Sequence, residues 1–130
     1  MSKKVLVVDD DPDVRTFNVA VLEENGYEAL VATNGEEGME LVKKHKPDLL
    51  LLDVLMPRES GIRLYREIKT DKSLKQTPII IMSGIAEKSF LRSQKALTEF
   101  GGAAVPEPEG YLEKPVDAEV LAAKIKEIIG

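Results

Sequence analysis

The sequence predicts an α/β domain built on a parallel sheet, and three observations carry that expectation. Short apolar runs alternate with amphipathic stretches along the whole chain, the pattern of repeated βα units. The run Leu49-Leu50-Leu51-Leu52 is unbroken, as in a central strand covered on both faces. Two apolar runs also end in carboxylates: Val5-Leu6-Val7-Val8 leads into Asp9-Asp10-Asp11, and the leucine run leads into Asp53. A parallel sheet brings such ends together at its carboxyl edge, where open α/β sheets bind their ligands.

The first strand is expected over 4–8. Asp11 can cap the next helix, and Pro12 suits its first turn. Val14, Phe17, Val21 and Leu22 then share one helical face, and Gly26 supplies a left-handed stop. The second strand covers 28–32. Asn34 with Glu37 three residues on resembles a capping box, opening a helix that ends before Pro47. The third strand runs over 48–53, and Gly61 leads into a helix carrying Ile62, Leu64, Tyr65 and Ile68. The fourth strand, 78–82, ends at Ser83-Gly84 and is followed by a helix over 87–100. Then come Gly101-Gly102 and an irregular, Gly-, Pro- and Glu-rich stretch over 101–110. A short strand over 111–113 precedes Lys114-Pro115, and Asp117 can cap a last helix that turns Leu121, Ile125 and Ile128 inward. No fixed-period repeat or low-complexity linker interrupts the pattern, so residues 1–130 read as one domain.

Composition narrows the function classes. At 130 residues with 43% hydrophobic and 32% charged content, the chain can bury a core without staples. There is no cysteine, so neither a disulfide framework nor a thiol nucleophile is available. That fits a reducing, cytoplasmic setting. A net charge of −5 argues against a nucleic-acid surface, and no apolar run is long enough for a membrane span. The single histidine, His45, can build neither a metal cluster nor a triad alone and is expected on the surface at the end of the second helix. Clustered carboxylates at one sheet edge repel one another unless a cation neutralises them, which asks for a hard divalent ion such as Mg²⁺.

The acidic pair Asp9-Asp10, Asp53 followed by Met56-Pro57 and Gly61, the hydroxyl residue Ser83 after the fourth strand, and Tyr111-Leu112-Glu113-Lys114-Pro115 come at the ends of four strands in this order. Together, over essentially the whole chain, they resemble the receiver domain of two-component response regulators, the CheY-like family. The resemblance implies a doubly wound, five-stranded parallel sheet of order 2-1-3-4-5 with five helices. It implies that Asp53 is a phosphoacceptor, a carboxylate that forms an acyl phosphate. Asp10 would be a direct Mg²⁺ ligand and Asp9 a partner through water, with Asp53 and the backbone carbonyl of Leu55 supplying further oxygens. Lys114 would pair with Asp53 at rest and with a phosphoryl oxygen afterwards, and Pro115 resembles the family's cis-proline. Ser83 and Tyr111 would form the switch: the hydroxyl moves towards the phosphoryl group and the ring swings into the vacated space.

By the same resemblance the phosphoryl donor is a histidine kinase, a phosphotransfer protein or a small acyl phosphate, since the chain has no glycine-rich phosphate loop. The output is a changed surface on the fourth helix, fifth strand and fifth helix. That surface would act on a target protein or output domain, or join two copies upon phosphorylation. The chain would then be a signalling domain rather than a turnover enzyme. It departs from the family pattern in a longer interval from Ser83 to Lys114, with the excess around 101–110, and in apolar Leu55 and Ile85 beside the site. That apolar pair is expected to orient an attacking water poorly and so slow loss of phosphate. Two competitors stand beside this reading. A phosphorylation-independent pseudo-receiver would be expected to lack one of the acids or the lysine. An aspartyl phosphohydrolase would usually carry a second carboxylate two residues after its nucleophile, where this chain has Leu55.

Overall fold

In the computed structural model, which describes residues 2–99 and 104–130, the apolar runs lie side by side in one sheet. Its strands are β1 (Lys4–Val8), β2 (Glu28–Ala32), β3 (Leu49–Leu52), β4 (Ile79–Ser83) and β5 (Gly110–Glu113). They alternate with α1 (Pro12–Glu24), α2 (Gly35–His45), α3 (Ser60–Thr70), α4 (Glu87–Glu99) and α5 (Ala118–Ile129). The order across the sheet is β2-β1-β3-β4-β5 and every pairing is parallel, as expected.

The alternation of side chains along each central strand divides the core in two. Leu6, Val8, Leu50, Leu52, Ile79 and Ile81 face α2, α3 and α4, against Val42, Leu64, Ile68 and Phe90. Val5, Val7, Leu49, Leu51, Ile80 and Met82 face α1 and α5, against Val21, Leu22, Leu121 and Ile125. Every residue of β3 is therefore buried, which is why its leucines run without a polar break. Each such side chain stabilises the fold by about 1.5–3 kcal/mol relative to exposure.

The helix ends follow the local chemistry. Asp11 Oδ1 accepts the N–H of Asp13 at 2.8 Å and of Val14 at 3.4 Å, and Gly26, at φ +83°, turns the chain after α1. Asn34 Oδ1 accepts the Glu37 N–H at 2.9 Å. Glu37 Oε1 returns to Thr33 N at 3.2 Å, one residue earlier than in an ordinary capping box. Asp117 takes the N-cap position of α5, but its side chain makes no capping bond, contrary to expectation.

Several boundaries shift. β3 is one residue shorter at each end than 48–53, although the Asp48 and Asp53 amides still donate across to Lys4 O and Val8 O. Asp48 Oδ2 accepts the Lys4 N–H at 2.8 Å, and Asp53 Oδ1 turns back to Leu55 N at 2.8 Å. β4 starts at Ile79 rather than Pro78 and runs on through Ser83, which pairs with Glu113, and β5 begins at Gly110 opposite Ile80. A short 3-10 turn, Pro57–Glu59, joins the β3 loop to α3 and was not anticipated; Arg58 within it has a positive φ of 61°. His45, at the end of α2 as expected, is partly buried rather than fully exposed. Phe100, Gly101 and Gly102 lie outside the described residues. Ala104 to Glu109 is irregular, as expected.

Candidate functional site

The sheet's backbone ladder continues one residue past three strands and so sets the site. Asp9 N donates to Ala32 O at 3.2 Å, Asp53 N to Val8 O at 3.0 Å and Lys114 N to Ser83 O at 2.8 Å. Asp9, Asp53 and Lys114 are thereby held at one carboxyl edge by bonds that do not depend on their side chains. Gly61 lets α3 begin directly against this edge: a Cβ there would stand 2.2 Å from Asp53 O and 2.8 Å from Val54 Cα.

At that edge the side chains converge. Lys114 Nζ donates to Asp9 Oδ2 at 3.0 Å and to Asp53 Oδ2 at 3.3 Å. Carboxylate oxygens of Asp9, Asp10 and Asp53 all lie within 4.8 Å of one another. Their environments differ. Asp9 and Asp53 are 2% and 6% exposed, whereas Asp10 is exposed. Asp9 is doubly engaged, with Oδ1 accepting the Asp11 N–H at 3.0 Å and Oδ2 facing Lys114. Asp53 Oδ1 holds the Leu55 N–H. Among the described residues no hydrogen bond or ion pair engages the Asp10 carboxylate. Asp11, as expected, is a helix cap rather than a member of the cluster.

The electrostatics follow from burial and this pairing. Burial pushes the Asp9 carboxyl above its usual value; the Asp11 N–H and Lys114 pull it down, and the Asp53 charge adds to the rise. Burial alone would lower Lys114, but its bonds and charge interactions with Asp9 and Asp53 outweigh that and hold it protonated beyond the ordinary lysine range. A donor set of hard oxygens with one exposed, unengaged carboxylate fits Mg²⁺, which takes one or two carboxylates and keeps several waters.

Ser83 and Tyr111 also meet. Ser83, fully buried, accepts the Ile85 N–H on its Oγ at 3.3 Å, while the Tyr111 hydroxyl donates to Ile85 O at 2.6 Å. The half-buried Tyr111 ring packs 5.6 Å from Phe90. Burial, with Glu113 adding to it, pushes the Tyr111 hydroxyl up to about 12, the Ser83 hydroxyl opposing. The Lys114–Pro115 peptide is cis. Leu55, 53% exposed, stands at the mouth of the site. A cleft of about 430 Å³ opens beside Lys114, walled by Val14, Phe17, Met82, Pro115 and Val116 together with Asp13.

Two charged features escaped the sequence reading. Arg15 Nη1 donates to Asp9 O at 2.8 Å and pins the β1–α1 loop from the first turns of α1. Lys69, 3% exposed on α3, pairs with Glu109 at 2.6 and 2.8 Å. Lys69 lies four residues after Tyr65, within the apolar stripe of its own helix, and a lysine at such a position signals an anionic partner.

Comparison with known proteins places this geometry among relatives. The family model described as "Response regulator receiver domain" matches residues 5–126. Protein PilH of Pseudomonas aeruginosa is 32% identical over 126 residues, covering 97% of both chains. The phosphate regulon transcriptional regulatory protein PhoB of the same organism is 32% identical over 129 residues, which make up 99% of this chain and 52% of PhoB. Among solved structures, the chemotaxis protein CheY4 of Vibrio cholerae superposes with a TM-score of 0.81 at 26% identity, covering 98% of this chain and 99% of that one. Among the described residues no helix is long and apolar enough to cross a membrane.

Proposed function

The chain belongs to the response regulator receiver domain family, and on that premise we propose that it accepts a phosphoryl group on Asp53 with Mg²⁺ and signals through a changed surface. The observation that carries the reading is the placement of Lys114 Nζ against both Asp9 and Asp53, beside an exposed, unengaged Asp10. A cation already bound to the acceptor carboxylate can follow the charge onto a phosphoryl oxygen, and such transfer is mostly positioning plus charge neutralisation.

In the proposed reaction an Asp53 carboxylate oxygen attacks phosphorus. The P–N bond of a partner's phosphohistidine, or the P–O bond of a small acyl phosphate, breaks as the acyl phosphate forms. The electron pair leaves on the imidazole nitrogen or the carboxylate. Asp10, Asp53 and the Leu55 carbonyl would hold Mg²⁺, with Asp9 reaching it through water; when bound, the ion neutralises charge on the phosphoryl oxygens. Lys114 then pairs with the new phosphate and Ser83 donates its hydroxyl. Tyr111, whose hydroxyl rests on the Ile85 carbonyl, would report that movement to α4, β5 and α5. Water later cleaves the acyl phosphate, so the chain turns over slowly and is a phosphoacceptor rather than an enzyme of turnover.

The donor would be a histidine kinase or phosphotransfer protein in the cytoplasm, and the apolar cleft beside Lys114 supports that reading as a surface on which it could dock. The output is a target protein, an attached domain or a second copy, met by the α4–β5–α5 face. A phosphorylation-independent receiver is less well supported because the acids and the lysine are all present and converge. An aspartyl phosphohydrolase lacks its second carboxylate at Leu55.

Intact mass after incubation with Mg²⁺ and acetyl phosphate tests the reading. One added phosphoryl group, absent from Asp53→Asn and without Mg²⁺, supports it. No adduct, together with no binding of beryllofluoride, overturns it.

A further inference from the structure

The segment that lengthens the interval from Ser83 to Lys114 is fastened to the domain at three points. Val105 packs against the core face shared with α3 and α4. The Tyr65 hydroxyl on α3 donates to the Pro106 carbonyl. Glu109 takes the Lys69 ammonium at 2.6 and 2.8 Å and the Ile79 N–H at 2.8 Å. The second fastening leads back to the site. The Tyr65 ring meets Phe90 edge-on, with centroids 5.5 Å apart and planes at 76°, and Phe90 in turn lies 5.6 Å from Tyr111. Tyr65 and Phe90 are 1% and 2% exposed. Rings packed at this density cannot move independently: an outward swing of Tyr111 would strip Phe90 of a neighbour, and a shift of Tyr65 would unseat Phe90.

We infer that Tyr65 is a positioning residue that couples the 104–109 segment to Tyr111 through Phe90 and holds the Tyr111 ring against the Ile85 carbonyl. The inference rests on the receiver chemistry proposed above, with the Ile85-bound ring taken as the position Tyr111 holds once a phosphoryl group at Asp53 draws on the Ser83 hydroxyl. Two events that favour one state are thermodynamically linked and strengthen each other by the same factor. The fastened segment therefore raises the affinity of the site for a phosphoryl group. The phosphoryl group, in turn, tightens the segment.

The test uses the full chain with saturating Mg²⁺ and beryllofluoride as the phosphoryl mimic. Tyr65→Phe removes one hydroxyl and keeps the ring. It is expected to weaken beryllofluoride binding by about three- to tenfold, the worth of one hydrogen bond, with the stoichiometry still one. In the unsubstituted chain beryllofluoride should slow amide hydrogen exchange across 104–111, and Tyr65→Phe should lose that protection. A purely structural Tyr65 would lower the melting temperature and leave the affinity of the folded chain alone. Should Tyr65→Phe not fold, the pair Lys69→Met with Glu109→Gln, which loosens the neighbouring fastening, must weaken binding in the same direction. Unchanged affinity in the variant that folds, or unchanged exchange over 104–111 in the parent chain, overturns the coupling. Failure of the parent chain to bind beryllofluoride and to form an adduct at Asp53 overturns the receiver reading, and the coupling with it.

Discussion

Glu109→Ala isolates the ion pair, a buried lysine with a partly exposed carboxylate, that closes the segment before β5. The Lys69 side chain is 1% exposed and its partner carboxylate 37% exposed. Removing the carboxylate leaves the ammonium against the Thr77 carbonyl at 3.3 Å and takes the acceptor from Ile79 N, the first amide of β4. Breaking a buried pair from one side costs about 3–5 kcal/mol. Solvent already reaches this carboxylate, which reduces that figure to about 2–3 kcal/mol. Loss of the Ile79 acceptor adds about 1 kcal/mol. The expected total of roughly 3–4 kcal/mol is a large part of the ~5–15 kcal/mol that holds a domain together. In urea unfolding followed by circular dichroism, with a slope of about 1.5 kcal/mol per molar, the midpoint should fall by about 2 M. Glu109→Gln keeps one acceptor and should lose less. Adding Lys69→Met to Glu109→Gln removes the stranded charge and should recover much of the loss, because apolar replacement of both members of a pair is often neutral. A midpoint shift below about 0.5 M for Glu109→Ala at unchanged slope would refute the reasoning, since the buried ammonium would then not depend on this carboxylate.

Gly61→Ala drives a Cβ to 2.2 Å from the Asp53 carbonyl oxygen, a backbone atom with little room to yield. It should cost about 2–3 kcal/mol and lower the melting temperature by roughly 10 °C; an unchanged melting curve would contradict the close approach. Leu55→Asn changes a half-exposed residue at the site mouth and should spare the fold. By orienting water it should shorten the half-life of the Asp53 acyl phosphate by roughly tenfold, and an unchanged half-life counts against the role given to the apolar pair. Stability should fall at alkaline pH. Burial holds the Tyr111 hydroxyl up to about 12, and burial with Glu109 raises Tyr65 as well. An unfolded tyrosine gives up its proton near pH ~10 while the folded one keeps it, so the unfolded state binds fewer protons and unfolding becomes easier across that window. Urea midpoints at pH 9 and 11 should diverge more for the parent chain than for Tyr111→Phe; equal slopes would exclude Tyr111 as a contributor.

Much of this was legible in the chain. Unbroken leucines at Leu49–Leu52 announced a strand covered on both faces, and its two faces divide between the two core layers. Asp11, Gly26 and Asn34 punctuated the helices where the backbone bends. The acids at the ends of the first and third runs had to meet once those runs paired in parallel, because strand ends at one edge are neighbours whatever lies between. The strand boundaries that moved did so by one residue, and at Asp48 and Asp53 the amides stay in the ladder while the carboxylates bond Lys4 N and Leu55 N.

Sequence by itself thus determined the fold class, the strand order its family implies, and the set of residues gathered at the carboxyl edge. Tertiary structure alone decided which oxygens of Asp9 and Asp53 are already engaged, that Asp10 is not, and that Tyr111 rests on the Ile85 carbonyl. It alone joined Lys69 to Glu109, 40 residues apart, and Tyr65 to Pro106, 41 apart. The physical reason is range. Periodicity and capping act within one or two turns of chain and leave a trace in the residues themselves. An ion pair or hydrogen bond closed across an irregular segment depends on where that segment is laid down, and no local pattern records it.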